Sequence, residues 1–110
     1  MSLKNIKGLL VDIDGTLMKG DALLPGAASF LRFLDEKGIS FFIVSNNTKS
    51  PETYHQRFAQ KGIDIQSDRI FTSVNSTELY LLHHPNIRTV YVIGKPDLHK
   101  AVQKAGTTIL

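Results

Sequence analysis

The chain contains no cysteine among its 110 residues. Disulfides, thiolate chemistry and zinc sites built on cysteine are therefore excluded, and the composition is compatible with a reducing cytoplasm. Long apolar runs are also missing, since the apolar run that precedes Asp12 extends only from Gly8 to Val11. This run is too short for the apolar part of a signal peptide, and no stretch is long enough to cross a bilayer. We therefore expect a soluble cytoplasmic protein with no membrane partner.

Runs of like charge are absent as well, because the 13 Lys and Arg residues are scattered along the chain. A net charge of +3 without a basic cluster predicts no nucleic-acid partner. A mildly basic surface does help to attract anionic, phosphorylated substrates. The length and a hydrophobic content of 42% are sufficient for one core, so we predict a single unit over residues 1–110.

Short apolar segments alternate with amphipathic ones along the chain. The predicted strands are Gly8–Ile13, Ile39–Val44, Ile70–Thr72, Thr89–Ile93 and a last one that begins at Thr107. The predicted helices begin at Pro25-Gly26, Ser50-Pro51, Val74 and Pro96, and the polar segment up to Leu24 is predicted as a loop. This succession predicts an α/β fold with a Rossmann-like parallel sheet and helices on both faces. Because the chain stops within the last predicted strand, we expect an incomplete core.

Two predicted strands end in polar clusters, at Asp12–Thr16 and at Ser45–Thr48. In an open parallel sheet, ligands bind beyond the carboxyl ends of the strands. The i, i+2 spacing of Asp12 and Asp14 directs both carboxylates the same way, with Ile13 turned into the core. Two carboxylates this close need a cation between them or a shared proton, which favours a Mg²⁺ site or a general acid. The alternative is a solvated turn.

Gly15 gives the backbone the freedom to turn after these carboxylates. We interpret its amide, with those of its neighbours, as a candidate phosphate-binding group.

The segment Asp12–Leu17, placed directly after an apolar strand, resembles the first signature of the haloacid dehalogenase superfamily of aspartyl-phosphate phosphatases. The second cluster, Val44–Thr48, is similar to the second signature of its NagD-like and nitrophenylphosphatase-like subfamily, whose members carry a large α/β cap. Further similarities to that subfamily lie at Gly20, Pro25–Ala27, Phe30-Leu31, Thr72-Ser73, Tyr91–Gly94 and Ala105-Gly106. The resemblance covers essentially the whole chain, as the N-terminal part of a catalytic core without its cap.

The resemblance implies a role for each polar residue at the two strand ends. Asp12 would be the nucleophile, and Asp14 would be the general acid and base. The Asp12 carboxylate and the Asp14 backbone carbonyl would hold Mg²⁺. The Ser45 hydroxyl and the Asn46 amide would bind phosphate oxygens of a small phosphorylated metabolite, and Asn47 is interpreted as bracing the loop.

Two further signatures of the family, a Lys and an acidic Gly-Asp…Asp cluster, have no counterpart in the sequence. Gly94–Asp97 contains a Lys-Pro pair, but we interpret it as a helix start with Pro96 in the first turn. We therefore expect the chain alone to show little or no activity.

The alternative functions are a phosphate- or Mg²⁺-binding or protein-interaction module without turnover, and a receiver-type signalling domain. The receiver is disfavoured because no Asp ends a later strand. An incomplete sheet also predicts self-association through its exposed edge.

Overall fold

The computed structural model describes residues 3–110 of the predicted unit 1–110, so Met1 and Ser2 lie outside the described residues. The strands are β1 (Gly8–Asp12), β2 (Met18–Lys19), β3 (Ala22–Leu23), β4 (Ser40–Ser45), β5 (Ile70–Thr72), β6 (Thr89–Val90) and β7 (Thr108–Ile109). The helices are α1 (Ala27–Glu36), α2 (Pro51–Gln60), α3 (Ser73–Leu82) and α4 (Pro96–Lys104), with short 3-10 helices at Leu3–Asn5 and Ser67–Arg69. No helix in residues 3–110 has both the length and the apolar character that crossing a bilayer requires.

β4 is the central strand of a three-stranded parallel sheet with the order β1-β4-β5. Leu10 of β1 lies opposite Phe42 of β4, and Ile43 of β4 lies opposite Ile70 of β5. Helix α1 connects β1 to β4, and α2 connects β4 to β5. The predicted α/β fold with a parallel sheet is therefore confirmed.

Helix α2 begins where its capping residues predict. Ser50 adopts an extended conformation, and its Oγ accepts a hydrogen bond from the Thr53 N–H at 3.2 Å. Pro51 occupies the first turn, where its missing N–H costs nothing, and Glu52 follows near the positive end of the helix dipole. The cap thus fixes the point at which the loop after β4 turns back along the sheet.

One face of the sheet packs against α1 and α2 to form the main core. Phe58 and Ile43 have no exposed surface, and Leu34 is 1% exposed. The other buried members of this cluster are Val11, Ile13, Leu17, Met18, Ala27, Leu31, Phe41, Tyr54, Ile65 and Ile70. Each large side chain buried in this way contributes about 1.5–3 kcal/mol to folding.

The opposite face of the sheet is open in the described part of the chain. Leu10 is 75% exposed, Phe42 49% and Phe71 40%. The predicted cover of helices on both faces is therefore realised on one face only. The reason is the strand order: both crossovers step in the same direction along the sheet, and right-handed crossovers then place both helices on the same side. The shortest dimension of 20 Å matches a sheet with one layer of helices.

The last two strands form a separate parallel pair, in which Thr89 lies opposite Thr108 and Val90 opposite Ile109. No hydrogen bonds between described residues join this pair to the sheet of β1, β4 and β5. The predicted strand Thr89–Ile93 is therefore shortened to two residues, and Ile93 is 99% exposed. The prediction of one parallel sheet is wrong for this segment, because β6 pairs with β7 and not with the main sheet, and residues 91–93 pair with no described strand.

We predict that Phe58→Ala lowers the free energy of unfolding by about 3–5 kcal/mol, because it leaves a cavity in the main core. Phe42→Ala is the matched control, since the same side chain is half exposed there, and we expect a loss of about 1 kcal/mol. Urea denaturation followed by circular dichroism measures both. Equal losses for the two variants would contradict the assignment of Phe58 to the core and of Phe42 to the open face.

Candidate active site at the carboxyl end of the sheet

Asp12 and Asp14 lie at the carboxyl end of β1, on either side of the buried residue Ile13. Ile13 has no exposed surface and belongs to the main core, whereas both aspartates are exposed. Successive side chains of an extended segment point in opposite directions, so the burial of Ile13 turns both carboxylates away from the core. The orientation of this pair agrees with the prediction.

The chain turns tightly after Asp14. Gly15 has a φ of +80°, in the left-handed region that favours glycine. Its N–H donates to Met18 O at 2.8 Å, and the Met18 N–H donates to Ile13 O at 3.0 Å. The Gly15 amide is thus bonded inside the turn, which does not fit its predicted role as a phosphate-binding amide. Gly15 shapes the turn instead.

A short hairpin follows the turn where the sequence predicted only a loop. Met18 of β2 pairs with Leu23 of β3, and Lys19 pairs with Ala22. Strands of two residues are too short to show the alternation of apolar and polar residues by which strands are predicted. Met18 is 1% exposed, so the hairpin is attached to the core directly beside the aspartates.

The loop after β4 is held in place by a chain of hydrogen bonds. Ser45 is 9% exposed, and its Oγ accepts from the Asn47 N–H at 3.0 Å. The Asn47 side chain accepts from the Lys49 N–H at 3.2 Å, and its backbone carbonyl accepts from Ser73 Oγ at 2.7 Å. Asn47 therefore braces the loop, while the neighbouring Asn46 is exposed.

An open cavity of about 410 Å³ brings the two polar strand ends together. Asp12, Ser45 and Asn46 all line it, as the position of both clusters at the carboxyl end of a parallel sheet requires. The remaining lining residues are Val44, Phe71, Thr72, Ser73 and Ser76. The hydroxyl groups at the start of α3 were not among the predicted site residues. Their signal in the sequence is the repeated Ser and Thr directly after the strand Ile70–Thr72.

Tyr54 of α2 is buried in the main core and was predicted only as part of an apolar helix face. Its side chain is 2% exposed, and its hydroxyl oxygen makes no hydrogen bond with any described residue. Burial raises the pKa of Tyr54, and the Ser45 side chain opposes this. The carboxylates of Asp14 and Asp12 raise it further through their negative charge.

The family described as haloacid dehalogenase-like hydrolase matches residues 9–108. The chain belongs to the haloacid dehalogenase-like hydrolases. An acid sugar phosphatase of Staphylococcus haemolyticus is 36% identical over 108 residues, which are 97% of this chain and 41% of that protein. NagD of E. coli K-12 superposes with a TM-score of 0.82 at 33% identity, over 96% of this chain and 42% of that one. A p-nitrophenyl phosphatase of Archaeoglobus fulgidus superposes with a TM-score of 0.83 at 26% identity, over 94% and 40%.

The described residues match the N-terminal part of these relatives' fold, and the chain spans about two fifths of the relatives' length. Both the family and the fold predicted from Asp12–Leu17 and Val44–Thr48 are thus confirmed. The family is one of hydrolases, and two of these relatives are named phosphatases.

The two aspartates of this haloacid dehalogenase-like chain fit part of a Mg²⁺ site. Neither carboxylate makes a hydrogen bond or an ion pair with another described residue, so their oxygens are free to bind a hard cation. Within residues 3–110, however, no three His, Asp or Glu side chains gather as they would around an ion. Asp12 and Asp14 could thus supply two ligand groups of a Mg²⁺ site, and the described residues place no further acidic or histidine side chain beside them.

No lysine lines the cavity among the described residues. The Lys-Pro pair at Lys95-Pro96 opens α4, as predicted, with Lys95 as the N-cap. Asp97, in the first turn of α4, also contacts residues outside its own helix. Its Oδ2 accepts from the Ser50 N–H and from Thr53 Oγ1, both at 2.8 Å, and so ties α4 to the start of α2. The hydrogen bond from the Ser50 backbone lowers the pKa of Asp97, burial opposes this, and the Thr53 hydroxyl lowers the pKa further.

We predict that Asp97→Asn lowers the free energy of unfolding by about 1 kcal/mol at pH 7, because these hydrogen bonds lose their charged acceptor. The folded-state pKa of Asp97 is below its unfolded-state value of about 3.9. Its stabilising effect is therefore complete above that value and is lost as the pH falls through the folded-state pKa. Denaturation of the wild type and of Asp97→Asn from pH 7 to pH 2 measures the difference between their free energies of unfolding. This difference should become smaller below about pH 4. Glu36→Gln, at the exposed end of α1, is the control, and a difference independent of pH would contradict the role of the Asp97 charge.

Proposed function

We propose that this chain carries the nucleophile half of a phosphatase that forms an aspartyl-phosphate intermediate on small phosphomonoesters. The observation that carries the proposal is the common cavity of Asp12, Ser45 and Asn46, with Asp14 two residues from the nucleophile. Sugar phosphates are the substrates we would test first, since the relative from S. haemolyticus is named an acid sugar phosphatase. We assign the protein to the cytoplasm, in agreement with a sequence free of cysteine.

Catalysis begins with attack of an Asp12 carboxylate oxygen on phosphorus. A bond forms between that oxygen and phosphorus, and the bond between phosphorus and the leaving oxygen breaks. Asp14 gives its proton to the leaving oxygen, so that the alcohol departs neutral. In the second step Asp14 takes a proton from water as the water oxygen attacks phosphorus. The bond to Asp12 then breaks, and inorganic phosphate and both carboxyl groups are regenerated.

Ser45 and Asn46 hold the phosphate oxygens during both steps. The Ser45 hydroxyl is buried at the end of β4 and its position is fixed by the Asn47 N–H, so little order is lost when it binds an oxyanion. Asn46 is exposed at the cavity and offers an amide N–H₂ group. We assign Gly15 to the turn that positions Asp14.

The Asp12 carboxylate and the Asp14 backbone carbonyl are the groups that would hold Mg²⁺. When bound, the ion offsets the negative charge that accumulates as a carboxylate approaches a phosphate dianion. Asp12 lines the cavity and Asp14 follows two residues later, and no ammonium group lines the cavity to compensate their charge, which is the physical reason to expect Mg²⁺ here.

The test is hydrolysis of p-nitrophenyl phosphate and of a panel of sugar phosphates by the product of the whole reading frame, with Mg²⁺ and with EDTA. We expect Mg²⁺-dependent turnover that Asp12→Asn and Asp14→Asn each reduce by about 10³-fold or more, because each removes a reacting group. Asp68→Asn is the matched control, since Asp68 is exposed at the opposite end of β5. Acid quenching during turnover should trap phosphate on Asp12. Full activity of Asp12→Asn would overturn the proposal.

The chain of 110 residues by itself should stay near background in the same assay, because its described cavity has no lysine and too few carboxylates. A phosphate- or Mg²⁺-binding module without turnover is the second candidate for this chain alone. The lack of a lysine and of further carboxylates in the described cavity favours it. Metal-dependent turnover by these 110 residues that Asp12→Asn abolishes would exclude it.

We also propose that the isolated chain self-associates through the open face of its sheet. Leu10, Phe42 and Phe71 form an exposed apolar surface there, and the edges of a three-stranded sheet offer unpaired backbone groups. Size-exclusion chromatography with light scattering should show a mass that rises with concentration, and Leu10→Gln should shift it toward the monomer. A wild-type monomer at high concentration would contradict this.

A further inference from the structure

The hairpin of β2 and β3 directly follows the tight turn after Asp14. Each of its strands is two residues long, and the two residues between them are Gly20, with a φ of +60°, and Asp21. Met18 is 1% exposed and Leu23 packs against the main core, whereas the tip of the hairpin is exposed. A hairpin this short is only marginally stable by itself, so its position depends on contacts with the rest of the protein.

An ion pair with α2 supplies such a contact at the exposed tip. Arg57 Nη1 lies 2.9 Å from Asp21 Oδ1 and donates a hydrogen bond to it. An open cavity of about 390 Å³ is lined on one side by Met18 and Asp21 of the hairpin and on the other by residues of α2. Besides Arg57, the lining residues from α2 and its end are Thr53, Gln56, Gln60 and Lys61. The ion pair therefore bridges the gap between the hairpin tip and the helix.

Backbone hydrogen bonds connect the hairpin to Asp14. The Gly15 N–H donates to Met18 O at 2.8 Å, and the Met18 N–H donates to Ile13 O at 3.0 Å. Asp14 itself forms a β-bridge with Met18. The residues on both sides of Asp14 are thus bonded to the first residue of β2, so a displacement of the hairpin also displaces Asp14.

Proton transfer from Asp14 is sensitive to such a displacement. A general acid has to lie within hydrogen-bond reach of the oxygen that it protonates. The Asp14 carboxylate makes no hydrogen bond or ion pair with another described residue. Its position is therefore determined by the backbone of the turn and, through the turn, by the hairpin.

We propose that Arg57 is a positioning residue, whose ion pair with Asp21 holds the hairpin of β2 and β3 at α2 and so keeps Asp14 within reach of the leaving oxygen. The proposal rests on the phosphatase function proposed above. Arg57 acts through the hairpin, since it does not line the cavity at Asp12. The two partners are 36 positions apart in the sequence, and only the packing of the hairpin beside α2 brings them together.

Substrates with different leaving groups test the proposal in the product of the whole reading frame. A sugar alkoxide needs a proton to depart, whereas p-nitrophenolate is a stable anion that departs without one. For the sugar phosphate that the wild type hydrolyses fastest, we expect Arg57→Gln to lower kcat/KM about 2- to 5-fold, as for the loss of one exposed ion pair. The fall for p-nitrophenyl phosphate should be smaller. Equal falls for the two substrates, or wild-type kcat/KM for both, would overturn the proposal.

Arg69→Gln is the matched control. The Arg69 side chain has the same exposed fraction as that of Arg57, 33%, and it lies 3.9 Å from Asp35, at the amino end of β5. This variant also loses an ion pair, but at the end of the sheet opposite to the site. We expect it to leave the ratio of kcat/KM for the two substrates unchanged, and a change as large as that of Arg57→Gln would overturn the proposal.

A double-mutant cycle with Asp21→Asn shows whether Arg57 acts through its partner. We expect Asp21→Asn to lower kcat/KM for the sugar phosphate as Arg57→Gln does. Once the charge of Asp21 is gone, Arg57→Gln should have no further effect. Effects that multiply in the double variant would overturn the proposal.

Hydrogen exchange keeps the two proposals apart. The N–H groups of Gly15 and Met18 are bonded inside the turn, so their exchange rates report its opening without any turnover. We expect Arg57→Gln to raise both rates about 2- to 5-fold, and Arg69→Gln to leave them unchanged, when they are measured by NMR. An enzyme without turnover would overturn the phosphatase function, and these rates would still decide whether Arg57 holds the turn. Equal rates in the wild type and in Arg57→Gln would overturn its role.

Discussion

The parallel pairing of β1 with β4 places Asp12 opposite Val44, and the whole candidate site depends on this register. It brings the nucleophile candidate beside Ser45, which is 33 positions away in the sequence, and it puts both strand ends at one edge of the sheet. A shift by one residue would turn Ile13 outward and an aspartate into the core, because side chains alternate along a strand. The cost of burying a carboxylate, together with the burial of Ile13 and Ile43, makes that shift strongly unfavourable.

Hydrogen bonds around the start of α2 hold the loop that follows β4 in a fixed position relative to the sheet. Ser50 caps α2 and donates its backbone N–H to Asp97, while Asn47 receives a hydrogen bond from Ser73 at the start of α3. The loop between Ser45 and Ser50 is therefore fixed at both ends by groups that are far away in the sequence. Such fixing matters for a phosphate site, because donors that are already in place need no reorganisation when the charge develops.

The open face of the sheet and the cavity beside it have the same origin. Both crossovers place their helices on one side, so the other face keeps Leu10, Phe42 and Phe71 exposed and leaves the cavity at Asp12 open. The relatives with the same fold are more than twice as long as this chain. The exposed apolar face and the open cavity at Asp12 thus both follow from the placement of the helices on one side of the sheet.

Much of this arrangement was determined by the sequence through interactions of short range. The apolar run before Asp12, the capping pair Ser50-Pro51 and the glycine after Asp14 act on their immediate neighbours, so strands, helix starts and the turn were predictable. The motif Asp12–Leu17 was specific enough to identify the family. The tertiary structure alone decided the rest. Which face of the sheet is covered depends on the strand order, and the strand Thr89–Ile93 is shortened because only Thr89 and Val90 pair with β7. The burial of Tyr54 with an unpaired hydroxyl depends on how α2 packs on the sheet, and no periodicity in the chain records it.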